Sequence, residues 1–217
     1  MAQIVSVNTG RIVPVAWASR LDRTAIDKRP VDGRVAIGRL GLAGDEQADR
    51  TVHGGVDQAV YAYAREDIDW WADQLGRTLS NGQFGENLTT SGLDVTAAVI
   101  GERWRIGSVL VEVTSPRIPC LTFENWLGER AWVRRFTKAA RPGGYLRVVH
   151  EGELGAGDPV EVIHRPEHGV TVGQVFRARA GERDLMARLL DVPELPSDWQ
   201  EWARKHAASF ERSRSSS

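Results

Sequence analysis

Cysteine is all but missing from the 217 residues, with Cys120 standing alone. A single cysteine excludes an internal disulfide and every cysteine-rich zinc or iron–sulfur site. Lysine is nearly as scarce: Lys28, Lys138 and Lys205 are the three among 28 basic residues, a bias read first as genome composition. Net charge is missing too, since 28 basic residues meet 29 acidic ones and leave a formal charge of −1. That balance argues against a general nucleic-acid binder, which needs a basic surplus, while leaving room for a local basic pocket. No stretch approaches the roughly 20 apolar residues that span a bilayer. Met1–Val7 carries no cationic region ahead of a long apolar run, so the expected location is the cytoplasm, with no membrane partner. Walker A, Gly-x-Gly-x-x-Gly, His-Glu-x-x-His and Gly-x-Ser-x-Gly signatures are all absent. His164 and His168 stand four apart, but Pro166 between them breaks the helix that a His-x-x-x-His zinc pair needs.

What is present is ordinary globular chemistry, 41% hydrophobic and 26% charged. The length suits one domain, or one with a small appendage. Short strands with Gly-rich turns fill the first two thirds. Ile4–Val7, Val35–Ile37 and Ala59–Tyr63 are strand candidates, and Arg103–Ile106 with Val109–Thr114 alternates around Gly107-Ser108 as a hairpin. Tyr145–His150 and Val160–His164 form a later pair around a turn region at Gly152–Asp158. Many short strands of this kind suggest a barrel or sandwich. Two helical stretches interrupt them: Arg65–Leu75, with Ile68, Trp71 and Leu75 on one stripe, and a second capped by Thr122 that restarts after Gly128. Their Trp and Phe residues read as core. Beyond Arg165-Pro166 three short helices are predicted, Val172–Ala178, Glu182–Leu190 and Asp198–Lys205, the last capped by Ser197. The predicted organisation is a main domain over 1–165, a three-helix extension over 166–208 and a disordered tail over 209–217.

Three segments could carry chemistry. Cys120 ends Ser115-Pro116-Arg117-Ile118-Pro119-Cys120, where two prolines stiffen an extended loop at a strand end. A following helix N-terminus and Arg117 would favour a thiolate there. The competing reading is a buried, inert small hydrophobe, and the residues alone leave both open. Gly44–Tyr61 is a polar loop running into a strand; its His53-Gly54-Gly55 lets backbone N–H groups approach a ligand, or is simply a turn. Gly82-Gln83-Phe84-Gly85-Glu86-Asn87-Leu88 places Glu86 and Asn87 where they could bond a heterocycle, or is only a Gly-rich loop.

Taken together, GDEQADRTVHGGVDQAVYAY at Gly44–Tyr63, FGENL at Phe84–Leu88 and SPRIPC at Ser115–Cys120 resemble the MOSC family, the C-terminal domain of molybdenum cofactor sulfurases, which also occurs as stand-alone bacterial proteins. VTVGQVF and LPSDW resemble the three-helix extension of one bacterial branch. The resemblance implies a mainly β (α+β), β-barrel-centred fold with inserted helices and one bound molybdenum cofactor, a molybdopterin. It implies Cys120 as the metal ligand and catalytic residue, adding a thiolate to the two pterin sulfurs. Thr9 and Arg11 fall where relatives hold the cofactor's phosphate, although Asn8-Thr9-Gly10-Arg11 stands where amidoxime-reducing relatives carry Lys-Ser. His53, Gly54, Asn87, Arg117 and Arg147 are the further cofactor-binding candidates, with a strand-surface charge as the competing reading of Arg147.

The first function implied is reduction of small N-hydroxylated substrates, such as hydroxylaminopurine-type bases or amidoximes. No flavin, haem or iron–sulfur motif is visible, so electrons would come from a separate flavin or iron–sulfur reductase. The alternatives are sulfur transfer through a Cys120 persulfide in cofactor maturation, without pyridoxal phosphate in this chain, and a non-catalytic cofactor carrier. A homodimer is left open.

Overall fold

In this computed structural model, residues 1–18, 22–48 and 54–214 are described. In chain order they form β1 (Gln3–Thr9), β2 (Val13–Pro14), β3 (Arg23–Thr24), β4 (Arg29–Pro30), β5 (Arg34–Gly38), β6 (Gly41–Leu42), β7 (Val60–Ala64), α1 (Arg65–Leu75), β8 (Leu88–Ser91), β9 (Arg103–Ile106), β10 (Val109–Pro116), α2 (Leu121–Leu127), α3 (Trp132–Ala139), β11 (Gly144–His150), β12 (Gly152–Gly155), β13 (Val160–His164), α4 (Val172–Ala180), α5 (Met186–Leu189) and α6 (Ser197–Arg214). The alternating stretch before Thr114 makes the expected hairpin, β9–β10, with Val109 facing Ile106 and Val111 facing Trp104. Val109, Val111 and Val113 are all fully buried. Glu112 and Thr114 on the other face are buried as well: Glu112 pairs with Arg103 and Arg147, and Thr114 Oγ1 donates to Asp57 O at 2.6 Å.

Eight strands join in the order β13-β9-β10-β11-β7-β8-β1-β4, with β12-β5-β6 as a separate three-stranded sheet. Only β7–β8 is a parallel pair in the large sheet. The expected barrel is corrected to an open sheet. Its two ends approach through one bridge, Gln3 to Pro159, with Ile4 N donating to Asp158 O at 2.9 Å and Val160 N to Ala2 O at 3.0 Å. Pro159 has no N–H to extend that contact into a ladder, and β4 takes the far end of β1. The expected turn at Gly152–Asp158 contains a strand, β12, whose partners lie on β5.

One apolar core packs on the sheet and runs on under the C-terminal helices, taking in Leu189, Val192 and Trp199. A second is aromatic, as the helical Trp and Phe residues predict: Trp71, Trp132, Phe84, Phe123 and Phe136 pack edge-to-face and offset between α1, α2 and α3. α1 matches its predicted span and ends at a left-handed Gly76. α2 is not capped by Thr122. Cys120 holds the N-cap position in extended geometry (φ −136°, ψ 170°), so Thr122 lies inside the first turn.

α4 starts at a capping box between Thr171 and Gln174. The expected second helix of the extension shortens to a 3-10 turn, Arg183–Leu185, followed by α5. α6 begins at Ser197 itself, with Gln200 N donating to Pro196 O at 3.0 Å, so Ser197 does not cap it. It runs on to Arg214, into the stretch expected as a tail; 215–217 lie outside the described residues. Among the described residues no helix is long and apolar enough to cross a membrane.

Candidate functional site

One transverse row of the large sheet positions the site. Register sets Ser115 on β10 beside Tyr145 on β11, and Tyr145 beside Tyr61 on β7. Asn87, just before β8, lies next to Tyr61 through Asn87 N to Tyr61 O at 2.8 Å, and Asn8 N donates to Asn87 O at 2.7 Å. At this end of the sheet lies a cleft of about 370 Å³. Its walls include Lys28, Asp45, Tyr61, Arg117, Cys120 and Tyr145, with Arg23 and Gly54 also lining it. Loops meet there because each strand hands over to an irregular segment at this row: 10–12 after β1, 117–120 after β10 and 80–87 before β8.

The segment 117–120, between β10 and α2, brings two of the expected side chains to the cleft. Cys120 is half-buried and opens into the cleft. Arg117 is 9% exposed, donates to Phe84 O at 2.6 Å, and lies over the Phe123 ring at 4.3 Å and the Tyr61 ring at 4.9 Å. Burial works against its charge, but the phenols of Tyr145 and Tyr61, Cys120 and Glu86 outweigh it and hold Arg117 above its ordinary value. A fixed cation therefore stands beside the thiol. Burial pushes the Tyr145 phenol up, so it stays protonated at neutral pH.

A second polar centre supports the opposite rim. Asp45 accepts from Gly10 N at 2.8 Å, from Asn87 Nδ2 at 2.9 Å and from the Lys28 ammonium in a close ion pair. Lys28 and Asp45 are almost fully buried, and burial pulls the Lys28 ammonium below its ordinary value although Asp45 raises it. Glu86 is fully buried and accepts from Gly82 N at 2.5 Å, Phe84 N at 3.0 Å and Thr89 Oγ1 at 2.8 Å. It is the clasp of its loop and does not line the cleft. Gly82 sits at φ +84°, and a Cβ there would meet the Lys28 carbonyl oxygen at 2.2 Å. Gly82→Ala is accordingly expected to cost about 2–3 kcal/mol and lower Tm by about 5–10 °C, read by thermal melting. An unchanged Tm would mean the 80–87 loop does not brace Lys28.

The predicted site residues divide. Cys120, Arg117, Gly54 and Asn87 line the cleft. The amide of Asn87 is already committed: its Oδ1 accepts from Tyr61 N at 3.1 Å, while its Nδ2 serves Asp45 and Asn8 O. Its role here is to join β7 to β1. Arg11 is exposed and pairs with Glu46 at 3.6 Å, and Thr9 faces Arg29 on β4, so neither lines the cleft. Arg147 lies two residues along β11 from Tyr145, with Asp57 and Glu112 at 3.4 Å, and donates to Glu194 O at 2.7 Å. It ties the sheet to the segment before α6 and does not line the cleft. His53 lies outside the described residues. Reading by segments passed over Lys28, Asp45 and Arg23. The available signal was the rarity of lysine, since Lys28 is one of three in the chain.

Comparison with known proteins gives the family and the fold. The MOSC domain profile matches residues 49–161. The chain is 33% identical over 200 residues to the uncharacterized protein YflK of Bacillus subtilis, covering 91% of this chain and 90% of that protein. It is 30% identical over 197 residues to a Gibberella moniliformis protein called "Reductase", covering 88% of this chain but 35% of the longer fungal protein. The crystal structure of YiiM from Geobacillus stearothermophilus superposes with a TM-score of 0.80 at 28% identity, over 95% of this chain and all 100% of that one. The chain belongs to the MOSC domain family.

Proposed function

We propose that this chain is a molybdenum-cofactor-dependent oxidoreductase that reduces N-hydroxylated compounds with electrons from a separate flavin or iron–sulfur reductase. The observation that carries the reading is the Cys120 thiol opening into a cleft beside the buried Arg117 cation. Family membership supports a molybdenum-cofactor role, and the fungal relative's name supports reduction.

The residues present fit the group. Among the described residues no three His, Cys, Asp or Glu side chains gather to hold a bare metal ion. A metal at Cys120 would therefore bring ligands of its own, as a pterin dithiolene does. Arg23, Lys28 and Arg117 provide the positive side chains that its phosphate calls for, and the volume suits a single small heterocycle. When bound, the cofactor supplies the two-electron chemistry by which an N–OH group, two electrons and two protons become N–H and water. The chain's own residues do the rest. Cys120 anchors the metal from a stiff loop. Arg117 favours the anionic sulfur. Tyr61 and Tyr145 wall the cleft, and the Tyr61 hydroxyl is held back by donating to Pro142 O at 2.8 Å.

Protein from a cofactor-competent host is expected to carry near-stoichiometric molybdenum by elemental mass spectrometry and to reduce benzamidoxime with a reconstituted reductase. Metal-free protein, from a host that loads another molybdoenzyme, would overturn the reading. If that protein gained one sulfur on Cys120 from a desulfurase, sulfur transfer would replace it.

A further inference from the structure

Three tyrosines crowd the cleft end of the sheet, and their hydroxyls are used differently. Tyr61 donates to Pro142 O at 2.8 Å and Tyr63 to Arg141 O at 2.9 Å, and both side chains are buried. Tyr145 is half-buried, and among the described residues its hydroxyl has no hydrogen-bond partner. Its ring is fixed all the same. Strand pairing holds the backbone between Ser115 and Tyr61, and the ring lies against that of Tyr61 at 5.2 Å. Its oxygen interacts with the charges of Arg117 and Cys120, which sets the hydroxyl end beside the thiol. Three other donors of the cleft are committed. Arg117 bonds Phe84 O, Lys28 pairs with Asp45, and the Asn87 amide bonds Asp45 and Asn8 O. A second cavity of about 290 Å³ shares Tyr145 and Gln58 with the cleft. Its walls also carry Arg179 and Asp198, both exposed. Tyr145 therefore borders a space that a ligand filling the cleft leaves open.

We infer that Tyr145 is a catalytic hydrogen-bond donor, whose hydroxyl holds the oxygen of the substrate's N–O group while that bond breaks. The inference rests on the reductase reading for the reaction and adds a residue to it. In that reaction the N–O bond breaks, an electron pair comes from the separate reductase, and two protons from solvent complete N–H and water. Tyr145 keeps its own proton throughout. The ordinary phenol value of about 10 makes it a donor at neutral pH without any shift. As the N–O bond lengthens, negative charge gathers on the departing oxygen, so the bond from Tyr145 strengthens on the way to the transition state. A ring already held by its strand neighbours needs no reorganisation to make it. The water formed at that oxygen has the second cavity as its way out.

Tyr145→Phe removes the hydroxyl and keeps the ring. The full chain, loaded with cofactor and oxidised, binds without turnover when no reductase is added. Calorimetry with benzamidoxime and with benzamidine, which lacks the N–O group, isolates the contact. The variant should bind benzamidoxime about 5- to 10-fold more weakly and benzamidine as wild type does. With reductase present, kcat for benzamidoxime should fall about 100-fold, the size of one lost transition-state donor. Molybdenum content and Tm should stay at wild-type values, because no bond within the protein is lost. Equal weakening for both ligands, or binding and turnover at wild-type levels, would overturn the inference. So would loss of molybdenum, which would make Tyr145 a cofactor contact. Thr122→Val removes another hydroxyl of the cleft wall and should leave the discrimination between the two ligands intact. Discrimination lost there and kept in Tyr145→Phe would give the role to Thr122. Selective, Tyr145-dependent binding of benzamidoxime by a chain that never reduces it would support the contact and sink only the reductase reading.

Discussion

Cys120→Ala is expected to abolish N-hydroxy reduction and strip most of the molybdenum, while leaving the fold in place. The loss should exceed about 100-fold, since changes to groups that merely orient a metal's ligands already reach that size. The fold survives because of where the thiol sits. It is half-buried at the mouth of a cleft, only skirting the aromatic core, so the methyl of alanine leaves little void. A stability change within about 1 kcal/mol follows. Its backbone role also survives: Glu124 N donates to the carbonyl of residue 120 at 3.1 Å, and alanine keeps that carbonyl. Elemental mass spectrometry, activity and thermal melting on the same preparation separate the outcomes. A variant that keeps its metal and full activity would remove Cys120 from the chemistry. A variant that loses both and also melts far below wild type would make the thiol a packing residue, the other reading its residues left open.

The part of this site that could be read from the sequence is the part made of neighbours. Strict alternation marks β10, and two prolines within Pro116–Pro119 mark a stiff loop after it, so Cys120 and Arg117 stand out before any fold is known. Local signals also fix α1, whose apolar stripe and Gly76 stop are contained in one short stretch. What was not legible depends on register. The row Ser115, Tyr145, Tyr61, Asn87 and Asn8 joins five segments, and no local pattern announces it. Asn87 reads like a ligand contact until its amide is seen bonding Tyr61 N on β7, Asn8 O on β1 and the Asp45 carboxylate. Arg147 fails for the same reason: two positions of slip along β11 move it from the cleft to Glu112 and Glu194. β12 was read as a turn because its four residues include two glycines and its pairing with β5 is more than a hundred residues away. Barrel closure likewise depends on distant pairings, the single Gln3–Pro159 bridge and the place of β4 beside β1, that composition cannot single out.

The second large effect is expected at Asp45, which lies among those long-range contacts. Asp45→Asn should destabilise the chain by about 3–5 kcal/mol at neutral pH, because it leaves Lys28 buried with its charge uncompensated. The substituted amide also turns an NH2 toward donors. Gly10 N and Asn87 Nδ2 both donate to the native carboxylate, and one amide oxygen cannot serve them and the ammonium together. The pH dependence follows from Lys28. Burial lowers its value from 10.5, against the pull of Asp45, so the folded chain gives up this proton more readily than the unfolded one. Between the folded value and 10.5 the unfolded state holds more protons, and stability rises with pH across that window. Removing Asp45 takes away the contribution that raises Lys28, so the folded value drops further and the window widens downward. The variant's deficit should therefore shrink as pH rises from neutral toward 10.5 in urea titrations, while wild type gains less over the same range. Lys28→Met placed on top of Asp45→Asn should restore part of the loss, because no buried charge is then left unpaired. A deficit that is flat in pH and untouched by Lys28→Met would mean that the pair is not what holds this rim. Cofactor uptake in the double variant then separates two duties of Lys28. Recovery of the fold without recovery of molybdenum content would show that the ammonium is needed for the anionic ligand as well as for Asp45.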